Sequence, residues 1–477
     1  MDARQTVRQG RSLGPNYHKL WVASAISNLG DGVRLAALPL LAASITRDPG
    51  LVAGVEFAAS IPWLLFALLA GVIVDRVDRR WMMWTVQTFR MFLMAALGLA
   101  IVAGLEGMAL LALVYVVSFF LGIGETLFDN AAQTIMPSVV RKDQLQVANG
   151  RLYAAEEVTN RFVGPPLGSF LFVSALALPF VFDAATFGVG AVLIFAITGS
   201  HAPIREHGAP RAKVRSDIAE GLRWLWNHKV LRTLGIMTGV SNLVNSATSA
   251  IFVLYALEIL DLTEAGYGLI LGVSAVGGVI GGLAGPRLAR LFGDGPSFYV
   301  IIGLAVAQYL AIGVTSSAAI VVLAMSSFGI GAMRWNVIAV ALRQSIVPDR
   351  LLGRVNSVYR LLAWGTMPVG AALGGFLGEV FGLRSTYFVS AAMMAILGVA
   401  IIPVVNNRTI AAARRAADEI AGMSRFIKVL GTHPVVADAL AAEAEGVLNE
   451  TFDEIVQIVE ATVRERGSPG RETHSKT

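Results

Sequence analysis

Residues 71–80 read "GVIVDRVDRR", and charged residues fill five of the last six positions of this stretch. The stretch before it, "IPWLLFALLAGVIV" at 61–74, is free of charge, and so is "WMMWTVQTF" at 81–89. A charge inside a bilayer costs at least about 2.5 kcal/mol, so a dense charged boundary between two apolar runs is typical of a loop at a membrane surface. The stretch therefore predicts two membrane helices joined by a short loop.

The composition of the whole chain agrees with a membrane protein. Of its 477 residues, 55% are hydrophobic and 15% are charged, whereas soluble domains carry about 25% charged residues. The mean hydropathy is +0.65. There is no cysteine, which excludes disulfide bonds, thiolate metal ligands and thiol catalysis. The net charge of +5 is spread over the loops, so nucleic acid is not expected as a partner.

The apolar runs predict twelve membrane-spanning helices, since about 20 apolar residues cross a bilayer. Basic residues gather in alternate loops, as at Arg76, Arg79 and Arg80 and again at Arg141 and Lys142. By the positive-inside rule this pattern predicts a multi-pass protein of the cell (inner) plasma membrane with both termini in the cytoplasm. The predicted spans lie near 19–46, 51–74, 81–104, 108–136, 145–173, 176–199, 230–260, 265–286, 297–315, 317–344, 353–381 and 385–405.

Two halves of the chain repeat each other. "ISNLGDGVRLAALPLL" at 26–41 is similar to "VSNLVNSATSAIFVLY" at 240–255, and Gly164 and Gly168 match Gly370 and Gly374. Repeats of whole bundles are typical of transporters, whose substrate sites lie at the repeat interface. The predicted parts are a cytoplasmic N-terminal leader at 1–18, a six-helix bundle at 19–199, a linker at 200–229, a second six-helix bundle at 230–405 and a cytoplasmic helical tail at 406–477.

The linker and the tail carry helical patterns of their own. In the linker, apolar residues at Val214, Ile218, Leu222 and Leu225 share one helical face, which predicts an amphipathic helix in the cytoplasmic interface. In the tail, apolar residues repeat at helical spacing, and the last residues are polar enough to predict disorder.

The charged loop resembles a motif of the major facilitator superfamily. That motif reads Gly-x-x-x-Asp-Arg-x-Gly-Arg-Arg and lies between helices two and three. Asp78 stands where the motif has its second glycine. The resemblance implies a gate in which Asp75 accepts hydrogen bonds from a facing helix N-terminus and pairs with arginines. The matching residues are Gly71, Asp75, Arg76, Arg79 and Arg80.

A second stretch, "NRFVGPPLGS" at 160–169, resembles the antiporter motif Gly-x-x-x-Gly-Pro-x-x-Gly-Gly of helix five in that superfamily. Gly164, Pro165 and Gly168 match it, whereas Asn160 and Ser169 depart from it. Small residues every four positions allow close helix packing, which is the plain structural alternative. Together with further stretches, the resemblance indicates the twelve-helix drug–proton antiporter type, in the branch of enterobactin exporters and actinobacterial multidrug efflux proteins.

Charges inside the predicted spans are candidates for proton and substrate coupling, because they are costly to keep there. Asp31 and Arg34 share a face of span one, which fits either a static ion pair or a pair that opens when Asp31 binds a proton. Glu125 is a proton site or the partner of an arginine such as Arg334. Glu56 and Asp183 are expected near the outer interface. The coupling candidates are Asp31, Arg34, Glu125, Asp129, Arg161 and Arg334.

These features predict an all-α major facilitator fold and proton-coupled export of small amphipathic compounds by alternating access. An importer or lipid transporter on the same fold is the first alternative, and a receptor or scaffold acting through the tail is the second. No phosphate-binding loop, zinc-ligand spacing or nucleophile–base set is found, so neither an enzyme, a cofactor nor a metal is predicted. The expected partners are a small-molecule substrate, protons and the lipid bilayer, and the chain is expected to be a monomer.

Overall fold

The computed structural model describes residues 13–74, 76–199, 201, 214–292, 294–413 and 415. The described chain is helical throughout. Its helices are α1 Pro15–Ile45, α2 Pro49–Val74, α3 Arg79–Val102, α4 Gly107–Val139, α5 Leu145–Glu156, α6 Gly164–Ser174, α7 Leu178–Phe195, α8 Val214–Asn227, α9 Lys229–Leu254, α10 Glu264–Phe292, α11 Asp294–Val314, α12 Ala318–Ile346, α13 Asp349–Trp364, α14 Met367–Phe381 and α15 Leu383–Ile401.

The twelve predicted spans all correspond to helical rods. Two rods are interrupted: α5 and α6 together form span five, and α13 and α14 together form span eleven. Within the described residues, nine helices or rods are long and apolar enough to cross a membrane. The remaining three are α1 and the α5–α6 rod, in which polar and charged residues interrupt the apolar sequence, and α12, in which Ala318–Ala332 is a shorter apolar stretch.

The break between α5 and α6 has a clear chemical cause. Residues Glu157–Val163 form a π-helical segment that leads directly into α6. Pro165 and Pro166 have no backbone N–H, so neither can bond the carbonyl group four residues earlier, on Arg161 or Phe162. The backbone hydrogen bonds of this segment therefore reach back five residues instead of four, as in the bond from the Gly164 N–H to the Thr159 carbonyl.

The two halves use glycine in the same way. On α6, a Cβ added to Gly168 would overlap the Val33 carbonyl of α1, and one added to Gly164 would lie 2.5 Å from the Gly32 Cα. In the second half, a Cβ on Gly374 would overlap the Ala247 carbonyl of α9. The matching glycines of the repeat therefore bring matching helices into backbone contact, as expected for two pseudo-symmetric bundles.

The halves meet tightly at the end of the bundle opposite the 76–80 loop. Two seams, which are close contacts between helices of different halves, lie there. At the first seam α2 begins at Pro49 against the end of α14, and a Cβ on Gly378 would lie 3.0 Å from the Pro49 Cβ. The second seam joins α6 and α10. A Cβ on Gly272 of α10 would lie 2.5 Å from the Pro166 Cγ. Both seams depend on small residues, which let the backbones approach closely.

Helix α8 lies within the predicted linker and packs on α13. The Glu220 carboxylate pairs with the Arg354 guanidinium, and a Cβ on Gly221 would lie 2.7 Å from the Arg354 carbonyl oxygen. The side chain of Leu225 is buried whereas that of Leu222 is exposed, so the predicted apolar positions do not share one environment. Burial lowers the pKa of His228 to about 4, and its neutral ring accepts a hydrogen bond from the Leu231 N–H.

The chain divides into a compact unit at 1–411 and a second unit at 412–477. Residues 1–12 of the predicted leader lie outside the described residues, and so does nearly all of the predicted helical tail at 406–477. Both therefore remain predictions.

The glycine contacts give a first testable prediction. Gly168→Ala should destabilise the protein by about 1–3 kcal/mol, because its new methyl group meets backbone rather than a movable side chain. Gly303→Ala on α11 is the control, since a Cβ there meets nothing within 4 Å. The measurement is thermal unfolding of the purified protein in detergent. Equal melting temperatures for the two variants would contradict the assigned contact.

Candidate functional site

A buried ionic cluster lies in the first half, centred on Asp31 of α1. The Oδ1 atom of Asp31 accepts a hydrogen bond from Arg34 Nη2 at 2.8 Å and another from Arg90 Nη2 of α3 at 2.6 Å. Arg90 is almost completely buried, and its guanidinium lies 4.2 Å from the ring centre of Phe187 on α7. One carboxylate oxygen thus joins two arginines from two helices.

Two more carboxyl groups face Arg34. Glu125 of α4 lies 3.6 Å from Arg34 Nη2, and Asp183 of α7 lies 3.9 Å from Arg34 Nε. Three carboxyl groups therefore surround two guanidinium groups, and the fully ionised cluster carries one excess negative charge. We refer to Asp31, Arg34, Arg90, Glu125 and Asp183 as the ionic cluster.

The members of the ionic cluster differ in exposure. The Asp183 side chain is fully buried, and those of Arg34 and Asp31 are 11% and 15% exposed. Glu125 is 42% exposed although it points at Arg34 and so toward the interior of the bundle. It is the member of the cluster that water or a small molecule reaches most easily.

Two members of the cluster differ from the sequence-based expectations. Asp183 was expected near the outer interface, but it is sealed beside the middle of α1 because Gly30 leaves room for it there. Arg90 was not among the candidates, although an arginine twelve positions into an apolar helix is itself a signal. What the sequence could not supply is its partner on another helix.

The other candidates lie outside the ionic cluster. Asp129 is half-buried one turn further along α4. Arg161 pairs with Glu157 in the π-helical segment at 3.5 Å, and its side chain is 65% exposed. The side chain of Arg334 lies outside the described residues, so the suggested Glu125–Arg334 pair stays a prediction. The cation that Glu125 meets among the described residues is Arg34.

The 71–80 stretch is tied to its own half of the protein. Asp78 has an extended backbone and caps α3, accepting from the Arg80 N–H at 2.9 Å, and it also accepts from the His201 N–H at 3.0 Å. Arg80 donates to the Phe195 carbonyl at the end of α7. Since φ at Asp78 is −60°, this position does not require glycine.

The remaining residues of the two motifs are placed as follows. Gly71 lies inside α2, Arg76 lies in the following turn and Arg79 begins α3, while Asp75 lies outside the described residues. The gate role of the loop therefore stays a prediction. Asn160 lies in the π-helical segment, where its carbonyl oxygen faces Gly32, and Pro165 lies in the first turn of α6.

One polar contact crosses between the halves nearer the 76–80 loop. Arg360 of α13 donates to the side-chain oxygen of Asn130 on α4 at 3.2 Å. The Arg360 guanidinium lies 4.7 Å from the ring centre of Trp364, and Trp63 of α2 packs edge-on against Trp364. Arg360 thus bridges the halves while resting on an aromatic surface.

Comparisons with known proteins agree with this architecture. A family model described as transmembrane secretion effector matches residues 14–424. The multidrug efflux pump Tap of Mycolicibacterium fortuitum is 27% identical over 396 residues, covering 79% of this chain and 92% of that protein. The enterobactin exporter EntS of Salmonella typhi is 22% identical over 398 residues, covering 82% of this chain and 93% of that protein.

Among solved structures, the nucleoside transporter NupG superposes with a TM-score of 0.66 at 11% identity, covering 82% of this chain and 99% of that one. A likeness at this identity shows the fold alone. The comparisons confirm the predicted major facilitator fold and the predicted resemblance to the efflux branch. They also identify a multi-pass membrane transporter of small molecules rather than an enzyme.

The ionic cluster gives a second prediction. Arg90→Gln should destabilise the protein by about 3–5 kcal/mol, because it leaves the three carboxyl groups of the ionic cluster with Arg34 alone. Arg161→Gln is the control, since exposed ion pairs contribute at most about 1 kcal/mol. Unfolding by denaturant in detergent compares the two variants. Similar small losses for both would show that Arg90 is not needed to compensate the cluster.

The loop gives a third prediction. Asp78→Ala should lower stability by about 1 kcal/mol, because it removes the cap of α3 together with the acceptor of the His201 N–H. Asp78→Asn keeps an acceptor oxygen and should stay closer to the wild type. Thermal unfolding is again the measurement. If Asp78→Ala melted with the wild type, the cap would have no energetic role.

Proposed function

We propose that this chain, which belongs to the transmembrane secretion effector family of the major facilitator superfamily, exports small amphipathic compounds in exchange for protons. The names of its relatives, a multidrug efflux pump and an enterobactin exporter, support drugs or siderophore-like metabolites as cargo. The alternating basic loops support a place in the plasma membrane with both termini in the cytoplasm. We take the functional unit to be a monomer.

The observation that carries the proposal is the excess carboxyl group of the ionic cluster. An uncompensated charge inside a membrane protein is costly, so a proton that neutralises one carboxyl group is strongly favoured. Asp31 is already committed, because two guanidinium groups bind one of its oxygens. Asp183 has no exposed surface through which a proton could enter.

Glu125 fits the role of the exchanging proton site. Its contact to Arg34, at 3.6 Å, is longer than the 2.8 Å contact of Asp31, and a large part of its side chain is exposed. A cargo molecule and a proton can therefore compete for the same region. When Glu125 is protonated, Arg34 is left with Asp31 and Asp183. When Glu125 is ionised, the cluster favours a positively charged or hydrogen-bond-donating cargo.

The contacts between the halves support alternating access. The seams of α2 with α14 and of α6 with α10 close the end opposite the 76–80 loop. At the loop end the Asn130–Arg360 hydrogen bond crosses between the halves. Opening this contact while the glycine seams hold, and the reverse, would expose a central cavity to one side at a time.

Export and import make opposite predictions for proton-driven flux. Everted vesicles with an acidic lumen should accumulate an exported probe, tested with rhodamine 6G, erythromycin and a catecholate siderophore. Gradient-driven accumulation of these probes by intact cells, beyond cells without the protein, would establish the import alternative. A scaffold acting through the tail would show neither activity.

The fourth prediction concerns the proton site. Glu125→Gln should reduce gradient-driven probe accumulation to the level of vesicles lacking the protein, because an amide cannot exchange a proton. Probe exchange without a gradient should persist. Glu106→Gln, at the exposed start of the same helix, is the control and should behave as wild type. Undiminished gradient-driven accumulation by Glu125→Gln would remove Glu125 from the mechanism.

A further inference from the structure

Arg34 is in contact with three carboxyl groups, and only one of the contacts is a good hydrogen bond. The distance to Asp31 is 2.8 Å, whereas those to Glu125 and Asp183 are 3.6 and 3.9 Å. Hydrogen bonds between nitrogen and oxygen end near 3.2 Å. The guanidinium is therefore near both Glu125 and Asp183 but is hydrogen-bonded to neither.

Arg34 and Asp183 face each other, but no hydrogen bond joins them. Within the described part of the chain, Arg34 Nε and Asp183 Oδ2 are both buried and both lack a hydrogen-bond partner. They face each other at 3.9 Å. A buried donor and a buried acceptor left unpaired each cost about 1–3 kcal/mol, so a force on the guanidinium must keep them apart. The other two carboxyl groups, Asp31 and Glu125, attract the guanidinium through its Nη2 atom, at 2.8 and 3.6 Å.

Asp183 itself is fixed in place. Its Oδ1 atom lies 3.2 Å from the Thr186 hydroxyl, and the absence of a side chain at Gly30 lets α1 and α7 close around it. The guanidinium of Arg34 can shorten the contact by a change of side-chain torsion.

We propose that Asp183 is the second partner of Arg34: when Glu125 is neutralised, the guanidinium moves from Glu125 to Asp183 and closes the Nε–Oδ2 hydrogen bond. Asp183 is then a positioning residue, which acts on the transport cycle through Arg34. This inference rests on the proposed role of Glu125. It explains why a carboxyl group without any access to cargo is kept inside the bundle.

Other charged groups around the cluster do not replace Asp183 in this role. Arg90 is engaged with Asp31, and Arg161 is engaged with Glu157. Further charged groups on the helices packed around Arg34 include Lys19 on α1, Glu56 on α2, Asp129 on α4, and Arg151 and Glu156 on α5.

The test is a thermodynamic cycle that uses neither substrate nor a proton gradient. Melting temperatures are measured in detergent at alkaline pH, where the cluster has lost its proton, for the wild type, Asp183→Asn, Glu125→Gln and the double variant. Glu125→Gln imitates the neutralised state. We expect Asp183→Asn to lower the melting temperature more in Glu125→Gln than in the wild type. The additional loss should be about 3 °C or more.

The same four proteins are then made with Arg34→Gln. The non-additivity should disappear there, because both carboxyl groups act through Arg34. Additive effects with Arg34 present would overturn the proposal, and so would non-additivity that survives without Arg34, which indicates direct repulsion between the carboxyl groups. If vesicles show no proton-driven export but the cycle behaves as expected, the proposed function is wrong. The proposed movement of Arg34 between Glu125 and Asp183 is then still supported.

Discussion

The shared Oδ1 atom of Asp31 is the contact on which the rest of the first half depends. It holds Arg34 and Arg90 at 2.8 and 2.6 Å and so fixes α1 against α3. With one carboxylate bound to both cations, Glu125 and Asp183 must share what remains of Arg34. In water such sharing would be trivial, but away from water it leaves a charge that requires a proton, a cargo group or a movement of the arginine.

The same short segment of α1 also carries the closest steric contacts. Gly30 admits Asp183 of α7, Gly32 meets the backbone of the π-helical segment, and Val33 meets Gly168 of α6. Charge and packing constraints thus occupy adjacent positions on one helix. A shift of the Arg34 side chain takes place directly beside the contacts that set how α1 lies against α6 and α7. This proximity gives a physical route from a proton to a helix movement.

Most of the fold could be predicted from the sequence, because most spans are long apolar runs and the charged loops mark where spans end. The repeat could be recognised for a steric reason. A side chain at Gly168 or Gly374 would overlap a backbone carbonyl group, so only glycine fits at these two positions. The π-helical segment could not be foreseen as such, although its cause, two adjacent prolines, stands in the sequence.

The candidate site could be predicted only in part. Asp31 and Arg34 are three positions apart on one helix, so their contact follows from helical geometry. The contacts of Arg90, Glu125 and Asp183 with them join four helices, and no spacing within one helix encodes which helices are neighbours. For this reason the sequence indicates neither the depth of Asp183 in the bundle nor the contact of Arg90 with Asp31.

The central claim is that the ionic cluster binds one exchangeable proton and that Glu125 holds it. Infrared difference spectroscopy of the purified protein between neutral and alkaline pH tests this directly, through the carbonyl stretch of a protonated carboxylic acid, because exposed Asp and Glu side chains stay ionised throughout that range. The account predicts a band that appears on acidification of the wild type and is missing from Glu125→Gln, with Glu106→Gln retaining it. A wild type without such a band, or a band unchanged in Glu125→Gln, would contradict the account.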